Sequence, residues 1–203
     1  MRKLKLTVFV VMLGLFLVSD AETQAVCSLG PTAGQPYNPY LDQAPSPRAL
    51  QELQAIYTPL CPPPLGCGNY ALFSNPSAPT ILWTPVGPGY SKFAYNPFLL
   101  NQLASQYGTG ASFGLLAHAF GHHIDFNTTP PWMNNSWSSE LKADAWAGCA
   151  LAKTGVGTGQ IENALVAIAA FPVPGNPGWP QRQLAVRTGF INCGGQWLSR
   201  FGY

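Results

Sequence analysis

The sequence predicts a mainly helical α+β protein, and three observations carry that reading. From Pro97 onward, apolar residues recur at helical spacing in one segment after another. Just before them, two short alternating stretches flank a Pro/Gly turn, the pattern of a small sheet or hairpin. Hydrophobic residues make up 47% of the 203-residue chain and charged residues only 9%, which is enough for one packed core and too apolar for a disordered chain.

The elements follow in order. Arg2, Lys3 and Lys5 precede an apolar run from Leu6 to Val18, and Ser19-Asp20-Ala21 offers small residues where a signal peptidase reads. Residues 1–21 are therefore expected to be a secretory signal, with an alternative cleavage after residue 25. The run falls short of the roughly 20 residues that span a bilayer as a helix, and no later segment reaches that length. Removing Arg2, Lys3, Lys5 and Asp20 with the signal leaves seven basic and seven acidic residues. No basic patch remains to hold nucleic acid, and no membrane contact is expected after cleavage.

Residues 22–80 read as a Pro/Gly-rich arm, with a short helix over 48–57 from Leu50, Leu53 and Ile56. Within it Cys61 and Cys67 flank a short rigid loop that a disulfide can close. Export places all five cysteines in an oxidising compartment, and their odd number leaves one thiol free or paired with another chain. No Cys-x-x-Cys pair exists to make a cysteine zinc site.

Residues 81–203 form the second unit. Strands are expected over 80–84 and 91–95, and helices over 97–107, 111–126, 139–153, 161–170 and 181–192.

The chemistry is concentrated on two of these helices. All three histidines lie in His118-Ala-Phe-Gly-His-His123. His118 and His122 are four apart, so both imidazoles stand on one helical face, where they can grip one metal ion. Glu140 and Asp144 are likewise four apart on an Ala-rich helix. Two histidines, a carboxylate and a water make a common catalytic zinc set, and a second carboxylate typically orients a ligand histidine. The expected ligands of one Zn²⁺ per chain are therefore His118, His122 and Glu140, with Asp144 orienting a histidine. His123 is expected to touch solvent or a carboxylate and is not counted as a ligand. Trp132, Trp137 and Trp179 either line a groove or cap the core.

Leu116-Ala-His-Ala-Phe-Gly-His-His-Ile-Asp125 resembles the HExxH helix of gluzincin metallopeptidases. Glu140-Leu-Lys-Ala-Asp-Ala-Trp-Ala-Gly148 resembles their E-x-x-x-D helix. The chain resembles bacterial neutral zinc metallopeptidases and the HtpX/CAAX-protease-like group over roughly residues 90–195. Their late H-P-x-x-x-x-R element reads Asn176-Pro-Gly-Trp-Pro-Gln-Arg182 here. The resemblance implies a zincin-like fold, with a small sheet or hairpin before the metal-binding helix.

Two departures bear on activity. Ala119 occupies the position of the glutamate that holds the zinc-bound water and takes its proton. Asn176 replaces a histidine that the resemblance places at the transition state. Asn176 and Arg182 remain candidates for transition-state or structural roles. The expectation is a zinc-binding, metallopeptidase-like protein with little or no turnover, exported to the periplasm or beyond, whose partner is a peptide or protein ligand. Its alternatives are an active zinc peptidase using another base and a metal-free structural or interaction protein of the envelope.

Overall fold

A computed structural model of the chain describes residues 27–29, 36–63, 66–171 and 177–202, and of residues 27–29 the backbone only. The expected signal over 1–21, the alternative cleavage after 25, and Asn176 lie outside the described residues. Six α-helices and a four-stranded sheet make up the described residues, a mainly helical α+β arrangement.

Helix α1 (Pro47–Leu60) starts where the Ser46 hydroxyl accepts from the Ala49 N–H and Pro47 fixes the first turn. Its buried face is Ala49, Leu53 and Ile56, while Leu50, expected to face inward, is 46% exposed. Leu50 follows Ala49 directly, so it stands about 100° round the helix from that face. Cys61 and Cys67 then form a disulfide.

A strand appears where the sequence reads as a Pro-rich loop: β2 (Asn69–Ser74). Leu72 is its one fully buried residue, so it lacks the alternation that marks a half-buried strand. β3 (Ile81–Gly87) and β4 (Tyr90–Tyr95) form the expected antiparallel hairpin, with Ile81 opposite Tyr95. Pro85, which has no N–H to donate, sits beside a register shift before Gly87. β2 pairs parallel with β4, and β1 (Cys27–Leu29) pairs antiparallel with β3, giving the order β1-β3-β4-β2.

The remaining helices are α2 (Pro97–Tyr107), α3 (Gly110–Asn127), α4 (Ser139–Lys153), α5 (Thr158–Ala170) and α6 (Trp179–Asn192). Every residue of α3 from Gly110 to Ile124 is buried. A helix buried all round must be central, and α1, α2, α4, α5 and β3 all pack against α3. Phe120 of α3 stacks on Phe93 of β4 with ring centres 5.8 Å apart. Tyr70 of β2 meets Phe120 edge-on at 5.6 Å. Residues of α1 and β2 thus share one core with the helices that follow. Trp132, Trp137 and Trp179 are partly buried against that core.

Helices α4 and α6 approach backbone to backbone. A Cβ on Gly189 would lie 1.7 Å from the Ala145 carbonyl oxygen, and one on Gly148 would lie 1.9 Å from the Val186 carbonyl oxygen. Only glycine fits at this contact. A disulfide between Cys149 and Cys193 ties the same two helices, and the two bridges fit an oxidising compartment. No helix among the described residues is long and apolar enough to cross a membrane.

Loop closure ranks the two bridges. Their sequence separations are 44 and 6. On the chain-entropy model, Cys149→Ala/Cys193→Ala is expected to cost about 4 kcal/mol, and Cys61→Ala/Cys67→Ala about 2 kcal/mol. Urea unfolding of both variants checks the order, and a larger loss at the short loop would contradict it.

Candidate metal centre

The centre forms where α3 crosses the first turns of α4. The helices meet closely because Gly121, between His118 and His122 in sequence, lies against the backbone of α4. A Cβ there would stand 2.6 Å from the Ala143 carbonyl oxygen. His118 and His122 project from α3, Glu140 and Asp144 from α4, and all four are buried.

The structure brings the three expected ligands together. His118 Nε2 is 3.2 Å from Glu140 Oε2, and His122 Nε2 is 3.5 Å from Glu140 Oε1. One ligand atom from each residue lies within 4.8 Å of the others. Donor atoms about 2.0–2.1 Å from a tetrahedral ion stand about 3.3–3.4 Å from one another. The two imidazole nitrogens approach that separation from different oxygens of the Glu140 carboxylate.

Asp144 stands where the sequence expects it. Its Oδ1 is 2.7 Å from His118 Nδ1. A proton on Nδ1 donated to this carboxylate leaves the Nε2 lone pair aimed toward Glu140. Glu140 Oε2 is buried, with His118 Nε2 3.2 Å away. Burial raises the Glu140 carboxyl, but N–H donation and positive charge from His118 and His122, when these are protonated, more than offset it and hold the group well below the usual carboxylate range. An ionised carboxylate facing two imidazole nitrogens in a dry site calls for a cation or a shared proton. His118, His122 and Glu140 can hold a metal ion.

Other contacts were not legible in the sequence. Ser139, next to Glu140, places its hydroxyl 3.0 Å from His122 Nδ1 and so fixes the second imidazole. Trp83 of β3 stacks on the His122 ring, with centres 5.3 Å apart and planes inclined by 18°. A lone serine at a helix start and a tryptophan in a hairpin carry no metal signature, and only the tertiary fold brings them to the histidine.

Arg182 reaches the centre from α6. Its Nε donates to Asp144 Oδ2 at 2.8 Å and its Nη2 to Asp144 Oδ1 at 3.0 Å. Its Nη1 donates to the carbonyl oxygens of Ile168 and Phe171, at the end of α5, each at 3.1 Å. Arg182 is 3% exposed and serves the interior.

His123 departs from expectation. It touches neither solvent nor a carboxylate: it is fully buried, with Nδ1 2.8 Å from the Ser91 hydroxyl of β4. Burial pushes its pKa down to about 4, so it is neutral at ordinary pH. Ala119 is buried next to His118.

Comparison with family models, with curated proteins and with solved structures returns no match to this chain, so its likeness to gluzincins rests on the motifs alone.

Proposed function

We propose that this is an exported, zincin-like protein that holds one zinc ion through His118, His122 and Glu140 and has lost peptide hydrolysis while keeping a ligand-binding role toward peptides. The observation that carries the reading is the separation of holding from using. Three buried residues each offer a donor atom within 4.8 Å of the other two. The neighbouring position that would carry the base is Ala119.

Each residue then has a defined part. Glu140 supplies the negative charge, and His118 and His122 supply neutral nitrogen donors. Asp144 and Ser139 accept the opposite ring protons and fix both tautomers. Zinc, when bound, polarises a carbonyl and lowers the pKa of a bound water. No carboxylate at position 119 is present to take that water's proton.

A second reading has its own support. The histidines hold Glu140 ionised, so a proton shared with His118 would also satisfy the cluster in a metal-free polar core.

Metal analysis of the purified native chain separates the two. About one zinc per chain is expected, and absence of stoichiometric metal would sink the zinc reading. The variant Ala119→Glu tests the lost-base idea. It is expected to create chelator-sensitive peptide cleavage where the native chain shows little, with a gain of roughly 10²–10⁴, the range a positioned base supplies. Its zinc content, measured alongside, shows whether the centre survives the added carboxyl. Rapid cleavage by the native chain would overturn the proposal.

A further inference from the structure

We propose that Arg182 is a positioning residue of the metal centre, acting through Asp144 on His118, so that the docking of α6 sets how tightly the centre holds its ion. The inference rests on the zinc-binding reading and adds a residue outside the three candidate ligands.

The geometry makes the chain of contacts continuous. Arg182 engages Asp144 with two parallel N–H donors, one to each oxygen. A fork of this kind fixes the plane of a carboxylate as well as its position. Asp144 Oδ1 accepts from Arg182 and also faces His118 Nδ1. With the carboxylate plane fixed, the His118 ring is fixed too, and Nε2 is the nitrogen left to face Glu140. Without Arg182, Asp144 would be a fully buried carboxylate with one charged partner fewer. It would be free to rotate, and His118 would lose the partner that fixes its ring.

Arg182 is itself held on both sides. Its third nitrogen donates to two carbonyl oxygens at the end of α5. Its helix is fixed to α4 by the glycine contacts and the Cys149–Cys193 bridge. A lysine cannot reproduce this pattern, because its single ammonium cannot span two carboxylate oxygens and two carbonyls with one rigid plane. Linkage then requires the converse: an ion bound at His118 stabilises the docked position of α6.

The test measures zinc affinity by competition with a chromophoric chelator, on native chain, Arg182→Lys, Arg182→Gln, Asp144→Asn and the Asp144→Asn/Arg182→Gln pair. Native chain that takes up no zinc ends the parent reading, and this inference with it. Where native chain binds zinc, Arg182→Gln is expected to weaken affinity by roughly 10–100-fold, the usual effect of removing an outer partner of a ligand histidine. Arg182→Lys is expected to fall between. The double variant is expected to bind no more weakly than Asp144→Asn alone, since Arg182 acts through that carboxylate.

A role in stability alone would not produce this non-additivity in affinity. It would also leave unchanged the His118 Nδ1 ¹⁵N shift in the zinc-free protein, which reports the hydrogen bond to Asp144 and is expected to move in Arg182→Gln. Should Arg182→Gln not fold, Arg182→Lys and Asp144→Asn carry the same two readouts. Native-like affinity with a native-like His118 spectrum in a folded Arg182 variant would overturn the inference, as would losses that simply add in the double variant.

Discussion

Replacing Gly189 by alanine is expected to leave the chain unfolded. The new methyl carbon would lie 1.7 Å from the Ala145 carbonyl oxygen and 2.6 Å from its carbonyl carbon. Both obstacles are backbone, so no side chain can swing away to make room. Helix α6 must then move off α4, and with it go the Arg182–Asp144 fork and the packing of Ala185, Val186 and Phe190, all buried. Overpacking combined with breaking a buried charged network belongs to the class of substitutions that cost more than about 4 kcal/mol, much of the 5–15 kcal/mol that a typical domain has. Soluble yield and far-ultraviolet circular dichroism check the outcome. Gly159→Ala is the control. That glycine lies in the first turn of α5 with nothing within 4 Å of a new Cβ. Its replacement is expected to be neutral or to stabilise by about 0.5–1 kcal/mol. A Gly189→Ala protein as stable as the control would contradict the α4–α6 contact.

Zinc is expected to raise the melting temperature of the native chain by roughly 10 °C. The magnitude follows from linkage: free ligand at about a thousand times its dissociation constant adds about 4 kcal/mol. For a chain of this size, 1 kcal/mol moves the midpoint by about 2–4 °C. In His118→Ala/His122→Ala the response is expected to vanish, and the stoichiometric zinc with it. The metal-free double variant is also expected to be less stable than the metal-free native chain. Glu140 would then be a buried carboxylate stripped of the two groups that hold it ionised, while Asp144 keeps Arg182. Scanning calorimetry with zinc and with chelator measures both effects. A native chain whose midpoint ignores zinc and chelator alike would leave the metal-free polar core as the better account.

The two helices that carry the candidate ligands were legible because their signal is local. A spacing of four on a helix puts two side chains on one face whatever the rest of the chain does, and that sufficed for His118 with His122 and for Glu140 with Asp144. Their convergence needed more than spacing, namely Gly121 letting α3 close on Ala143. The hairpin was legible for the same local reason, since Pro and Gly punctuate it. β2 was not, because its neighbours Gly66 and Gly68 read as loop, and its pairing with β4 joins residues 21 positions apart. Ser139 and Trp83 lay beyond reach too, since neither residue type marks a metal site until the fold sets it beside His122. His123 shows the opposite error. Its place beside a metal motif suggested solvent or a carboxylate, yet the helix turns it by about 100° from His122, into the sheet.

That all three histidines of the chain sit within six residues of one buried helix has a practical consequence. Every imidazole resonance of the folded protein arises from the candidate metal centre or from the face directly behind it. No surface histidine contributes a background signal. Uniform ¹⁵N labelling alone therefore gives a three-residue spectrum in which tautomer, protonation and metal occupancy of this one locus can be followed on the intact chain.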